Sequence, residues 1–225
     1  MYALGPGRVL RRYRFPIDVE AEERLMKYLA AAGYPVPEVY DAGGQDLVME
    51  RLDGPDMLAD VGRRPWLVLR HAQSLANLHD RLHQIAAPAD LPPVATPGSG
   101  APASGQASVV LHMDLHPGNV MLTSRGPVVI DWVGARAGPA GTDVAMAYLI
   151  MSTAETDLIP MWLRPVVGPL RTAFCRRFAA AVRDRPWPHI ATAARLRMRD
   201  VNTRPSEAAR LLRIAERAES AEAAG

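Results

Sequence analysis

Apolar and polar positions change period along the chain, and each change marks an element. Val9-Leu10-Arg11-Arg12-Tyr13-Arg14 follows a Gly5-Pro6-Gly7 turn and predicts a short strand. Asp18 is placed to cap a helix whose first turn carries Glu20, Glu22 and Glu23, carboxylates favoured at the positive end of a helix dipole. Leu25, Met26 and Leu29 give that helix one buried stripe, and Gly33 ends it. Val36-Pro37-Glu38-Val39-Tyr40 predicts an extended edge piece, because proline cannot donate to a ladder. Gly43-Gly44 is a turn, and Leu47-Val48-Met49-Glu50 is the next strand. The pattern predicts a small α+β lobe over residues 1–52. Asp53-Gly54-Pro55 breaks the chain, and residues 53–225 form the second lobe.

The period then lengthens. Leu67, Ala72, Leu75, Ala76, Leu78 and Leu82 recur at helical spacing and predict one long helix from Trp66 to Leu82. His79 and His83, at i and i+4 on it, have the spacing of a metal-binding pair, but ordinary positions on a half-exposed helix are the commoner reading. Ala86 to Ser108 is rich in Pro, Ala, Gly and Ser and reads as a surface loop. Val109-Val110-Leu111 is a buried strand. Val120-Met121-Leu122 and Val128-Val129-Ile130 pair as a hairpin around Ser124-Arg125-Gly126. From Thr142 the pattern is helical to the end, interrupted at Pro160, Pro165, Pro186-Trp187-Pro188 and Pro205. Trp162 and Trp187 are expected in the core or a pocket wall, and Cys175 as a small buried apolar residue.

Composition narrows the class. The 225 residues are 48% hydrophobic and 22% charged, with a net charge of +2, as in soluble globular proteins that need no nucleic acid to balance them. No apolar run reaches a membrane span, and Cys175 is the only cysteine, so the chain reads as cytoplasmic. Lys27 is the only lysine.

The chemistry concentrates in one stretch. Asp114 and Asn119 stand in an Asp-x4-Asn spacing, and Asp131 follows the apolar run Val128-Val129-Ile130. Phosphoryl transfer needs those parts: a carboxylate to orient and deprotonate a hydroxyl, and hard oxygen ligands for magnesium. His112, Asp114 and His116 also alternate, as zinc or iron ligands on a strand face do, but Pro117-Gly118 ends such a strand at once.

The spelling His112-Met113-Asp114-Leu115-His116-Pro117-Gly118-Asn119, then Ile130-Asp131-Trp132, resembles the aminoglycoside phosphotransferase and choline-kinase-like family. Met113 departs from the family pattern, which has glycine there. The resemblance implies an α+β, bilobal protein-kinase-like fold with a reduced N-terminal lobe and a mainly helical C-terminal lobe. It implies ATP or GTP with magnesium, Asp114 as catalytic base, and Asn119 and Asp131 as metal ligands. His112, His116 and Asp143 support the loop, Asp143 from a helix N-terminus. Upstream, Val9-Leu10-Arg11 resembles the strand that ends in a phosphate-binding cation. Arg11 takes that place, since Lys27 lies on the helix, and Glu22 resembles the glutamate that pairs with it. Val48-Met49-Glu50-Arg51-Leu52 resembles the hinge that holds adenine, with Glu50 and Leu52 at the nucleotide. Leu75-Ala76-Asn77-Leu78-His79 resembles the helix that follows.

The implied partner is a small-molecule hydroxyl acceptor, without nucleic acid or membrane. From Met161 onward thirteen arginines face six acidic residues, which favours an acceptor that is not strongly cationic. Two further readings stay open: a kinase-like protein that binds a nucleotide or ligand without transfer, and a metal-dependent hydrolase built on His112, Asp114 and His116.

Overall fold

A computed structural model describes residues 1–94, 108–154, 161–162, 164–200 and 203–223. Residues 95–107 of the expected loop, and Pro160, lie outside the described residues. The architecture is bilobal: a small N-terminal β-sheet lobe and a larger helical lobe, as in protein kinases.

The chain divides into two compact units. The first comprises residues 1–63 and 117–135. Its sheet has strands β1 (Tyr2–Ala3), β2 (Arg8–Arg12), β3 (Val39–Gly43) and β4 (Asp46–Glu50) in the order β1-β2-β4-β3, every neighbour antiparallel. Helix α1 (Val19–Ala31) begins where Asp18 caps it, the Ala21 N–H donating to Asp18 Oδ1 at 2.8 Å. It buries Leu25, Met26 and Leu29, while β4 buries Leu47 and Met49. Helix α2 (Met57–Arg63) follows, Asp56 Oδ1 accepting from Ala59 N–H at 2.7 Å. After a 3-10 turn at Pro117–Asn119 comes the predicted hairpin, β6 (Val120–Thr123) with β7 (Gly126–Val129). The hairpin is tied to the rest of the unit by Leu122 N–H to Pro55 O and Val129 N–H to Pro35 O, both 2.9 Å.

The second unit comprises residues 64–116 and 136–225. A 3-10 turn at Pro65–Leu67 leads into α3 (Val68–Leu82), so the long helix starts slightly later than its periodicity predicts, behind Pro65. Strands β5 (Val109–Leu111) and β8 (Arg136–Gly138) pair antiparallel. Helices α4 (Ala140–Thr153), α5 (Arg164–Ala181), α6 (Ile190–Arg197) and α7 (Pro205–Ala223) complete the unit. Ala145, Met146, Leu149, Ile190, Ala193, Ala194, Leu211 and Ala215 form one apolar cluster of α4, α6 and α7. Cys175 is buried as expected. Trp162 and Trp187 are not core residues: they are 76% and 49% exposed, and Trp187 only edges the Tyr148 ring. Among the described residues no helix is long and apolar enough to cross a membrane.

Candidate active site

The first unit gathers Arg11, Glu22, Asn119 and Asp131. Arg11 stands on β2, opposite Leu47 of β4, so the ladder fixes its direction. Its Nη2 donates to Asp131 Oδ1 at 2.8 Å, although 120 residues separate the two. The guanidinium also lies over the Tyr13 ring, 4.5 Å from the centroid. Burial works against the Arg11 charge, but Asp131 and its other acidic neighbours outweigh burial and keep it charged. Asp131 leaves the hairpin with a left-handed backbone, φ +71°, and its side chain is 37% exposed. Asn119 is buried, and its carbonyl accepts from Ile130 N–H at 3.0 Å, which sets the Asn119 backbone beside that of Ile130, next to Asp131 in the chain. Oxygen donors of Asn119 and Asp131 match what magnesium takes from proteins.

Glu22 occupies a different place from the one its spacing implies. Its carboxylate accepts from Tyr13 Oη at 2.6 Å and from Trp132 N–H at 3.2 Å, while Arg11 reaches past it to Asp131. Burial pushes the Glu22 carboxyl up, against the Tyr13 hydrogen bond and the Arg11 charge. Burial and Glu22 together push the Tyr13 phenol up. Sequence reasoning missed Tyr13; its position two residues after Arg11, at the end of the predicted strand and in phase with Arg11, was the available signal.

Glu50 ends β4. Its backbone N–H donates to Glu38 O at 2.8 Å, and its side chain accepts from Arg125 Nη2 at 2.6 Å. Arg51 N–H donates to Gly7 O at 2.9 Å. The Leu52 amide takes no backbone hydrogen bond among the described residues.

The second unit holds the rest. His112 is fully buried, and its Nδ1 accepts from Asp114 N–H at 3.3 Å. His116 Nε2 lies 3.8 Å from Asp114 Oδ1, and the Asp114 side chain is 43% exposed. Asp143, in the first turn of α4, accepts from Met113 N–H at 2.6 Å through Oδ1. Met113 is left-handed at φ +68°, which is why glycine suits that position. Its side chain packs on the apolar cluster of α4, α6 and α7.

Two residues assigned to a half-exposed helix face are buried here. The His79 and His83 side chains are 0% and 3% exposed, turned into the unit by the apolar stripe they share with Leu75, Leu78 and Leu82. Both surround Asp143 Oδ2. Burial alone would push the Asp143 carboxyl up, but the two imidazoles outweigh it and hold the group well below the usual carboxylate range. Spacing of i and i+4 was the sequence signal; only the fold shows which face is covered.

The sequence matches the model of the phosphotransferase enzyme family over residues 2–103 and 95–165. No curated protein matches it significantly. Among solved structures, a thermostable mutant of an aminoglycoside phosphotransferase superposes with a TM-score of 0.63 at 16% identity, covering 99% of this chain and 90% of the other. A choline/ethanolamine kinase family protein from Mesorhizobium loti gives 0.58 at 13% identity, covering 95% and 82%. An ethanolamine kinase from Plasmodium vivax gives 0.55 at 12% identity, covering 94% and 74%.

Proposed function

Because the chain belongs to the phosphotransferase enzyme family, we propose that it transfers the γ-phosphate of ATP or GTP to a hydroxyl of a small molecule. The observation that carries this reading is the Arg11–Asp131 pair at 2.8 Å, which joins a strand cation to the carboxylate of the Ile-Asp-Trp motif across 120 residues. With nucleotide present each partner has a better one: the guanidinium fork suits phosphate oxygens, and the carboxylate suits magnesium. Asn119 supplies the second metal ligand. Magnesium, when bound, neutralises the charge on the transferring phosphate. Glu22 holds the backbone after Asp131 and adds negative charge near Arg11. Leu52 N–H is the hinge donor for the base, with Glu50 fixing the strand end. We keep residues 1–52 as the nucleotide-gripping lobe and 53–225 as the lobe of the catalytic loop and acceptor.

Asp114 is the base in this reading. It takes the proton of the acceptor hydroxyl as the oxygen–phosphorus bond forms and the bond to the leaving phosphate breaks. His112, through the Asp114 amide, and Asp143, through the Met113 amide, hold the carboxylate in place. Several C-terminal arginines are engaged within the fold: Arg195 with Glu219, Arg197 with Asp200 and Glu207, Arg171 with Ala154 O. The charge left for a ligand is smaller than the count of arginines, yet still of a sign that disfavours a polycation.

The test is nucleotide consumption by the full chain with magnesium against pooled hydroxyl compounds. Asp114→Ala should lower turnover about 10²–10⁴-fold while nucleotide binding persists. Full activity in that variant removes Asp114 as base. Nucleotide binding without turnover by the wild-type chain on any pool would favour a binding protein. Turnover of kanamycin well above that of neutral alcohols and sugars would overturn the acceptor reading.

A further inference from the structure

His79 and His83 stand one turn apart on α3, and Asp143 lies in the first turn of α4. Asp143 Oδ2 is 3.4 Å from His79 Nδ1 and 3.0 Å from His83 Nε2, with all three side chains at most 3% exposed. The opposite nitrogen of His79, Nε2, lies 3.2 Å from the Leu115 carbonyl oxygen. A carbonyl only accepts, so the His79 proton sits on Nε2. Nδ1, which has no hydrogen-bond partner, then faces Asp143 Oδ2. A proton added there would meet an oxygen 3.4 Å away, too long for a good N–H···O bond. Two basic atoms facing each other in a buried site call for a cation between them, a second proton or a metal ion.

We propose that His79 Nδ1, His83 Nε2 and Asp143 Oδ2 bind a transition-metal dication of the zinc class, as a structural clamp. The three ligand atoms lie within 4.8 Å of one another. Zinc–ligand bonds of about 2.0–2.1 Å in a tetrahedron separate neighbouring ligand atoms by about 3.3–3.4 Å. The observed edges to Oδ2 are 3.4 and 3.0 Å, close to that separation. Metal-bound histidines commonly donate their other N–H to a carbonyl or carboxylate. His79 has the Leu115 carbonyl, and His83 Nδ1, also without a hydrogen-bond partner, faces Asp184 Oδ2 at 3.8 Å. Placing the His83 proton on Nδ1 turns it toward Asp184 and frees Nε2 for the metal. The Phe178 ring, 5.2 Å from that of His79, walls the site with hydrocarbon. Two imidazoles and one carboxylate suit zinc, copper or nickel, whereas magnesium prefers all-oxygen sets. The site is therefore separate in chemistry from the nucleotide's metal, and the inference does not rest on the proposed transfer reaction. A metal there joins α3 and α4 to the backbone of Met113, which Asp143 holds through its other oxygen at 2.6 Å.

The test uses the full untagged chain. Elemental analysis after purification should find about one equivalent of zinc, or of another transition metal that zinc replaces. Exhaustive chelation should lower the thermal midpoint by roughly 5–10 °C, and zinc but not magnesium should restore it. His83→Gln should fold, keep its circular dichroism, and lose the stoichiometric metal. Cobalt added to the chelated wild-type chain should give visible bands from a site of two imidazoles and one carboxylate, with any fourth position open to water, and these bands should be absent in His83→Gln. Failure of the chelated chain to bind zinc, or of added zinc to raise its midpoint, overturns the proposal. Undiminished metal binding in His83→Gln also overturns it, since the metal would then sit elsewhere, for instance at His112 and His116.

Discussion

Met113 and Asp131 hold left-handed backbones at φ +68° and +71°, the only non-glycine residues that do so among the described residues. Each such residue costs on the order of 1–2 kcal/mol, so each needs a restraint. The restraints are alike: Asp143 accepts the N–H of Met113, and Glu22 accepts the N–H of Trp132, the residue after Asp131. Both carboxylates come from the early turns of helices. At Met113 the side chain adds contact with the α4, α6 and α7 cluster, which offsets what glycine would have saved in strain. Glu22 carries a cost of its own. Burial raises its folded-state pKa above the ordinary value, so ionising it costs more in the fold than in the unfolded chain. Its contribution to stability is fully present below the ordinary glutamate range and is lost as pH rises through the raised value. Glu22→Gln keeps both contacts, its amide oxygen accepting from Trp132 N–H and its NH₂ donating to the Tyr13 oxygen. Its thermal midpoint should exceed wild type by a few degrees at neutral pH, and the gap should close in acid. Parallel melting curves from pH 4 to 8 would count against this account.

Among the elements, the β6–β7 hairpin bears most directly on the site, because Asn119 and Asp131 flank it. Its pairing was legible as two apolar runs around Ser124-Arg125-Gly126. Its docking was not. It seats against Gly54, where φ is +132° and an added Cβ would come 2.0 Å from the Leu122 carbonyl oxygen. Asp53-Gly54-Pro55 was legible as a break in the chain, yet Gly54 also allows the close backbone approach of Leu122. Gly54→Ala should cost about 2–3 kcal/mol, which lowers the thermal midpoint by roughly 5–10 °C. Differential scanning calorimetry reads this directly; an unchanged midpoint would mean the hairpin shifts freely. Helix α1 behaves differently, since its cap, stripe and stop are all local and all visible in the sequence.

At the scale of the whole molecule, the 225 residues carry one cysteine, and it is buried on α5. Burial pushes the Cys175 thiol up to about 11, with Arg171 pulling the other way. A thiol reagent should label native protein at least about 10²-fold more slowly than denatured protein at pH 8, because labelling waits on opening of the second unit. Equal rates would show that α5 is open in the native state. The sequence by itself carried most of the elements, the family-level likeness and the choice of the segment around Asp114, Asn119 and Asp131 as the candidate for chemistry. Those follow from short-range periodicity, turn residues and spacing, which need no knowledge of distant partners. Tertiary structure alone decided that Arg11 meets Asp131, that Glu22 turns to Tyr13 and Trp132, and that His79 and His83 close on Asp143. It also returned residues 117–135 to the unit of the N-terminal sheet. Charges separated by 60 to 120 residues choose partners by which faces the core buries. That choice is made by the packing of all the elements together and is written in no local stretch of chain.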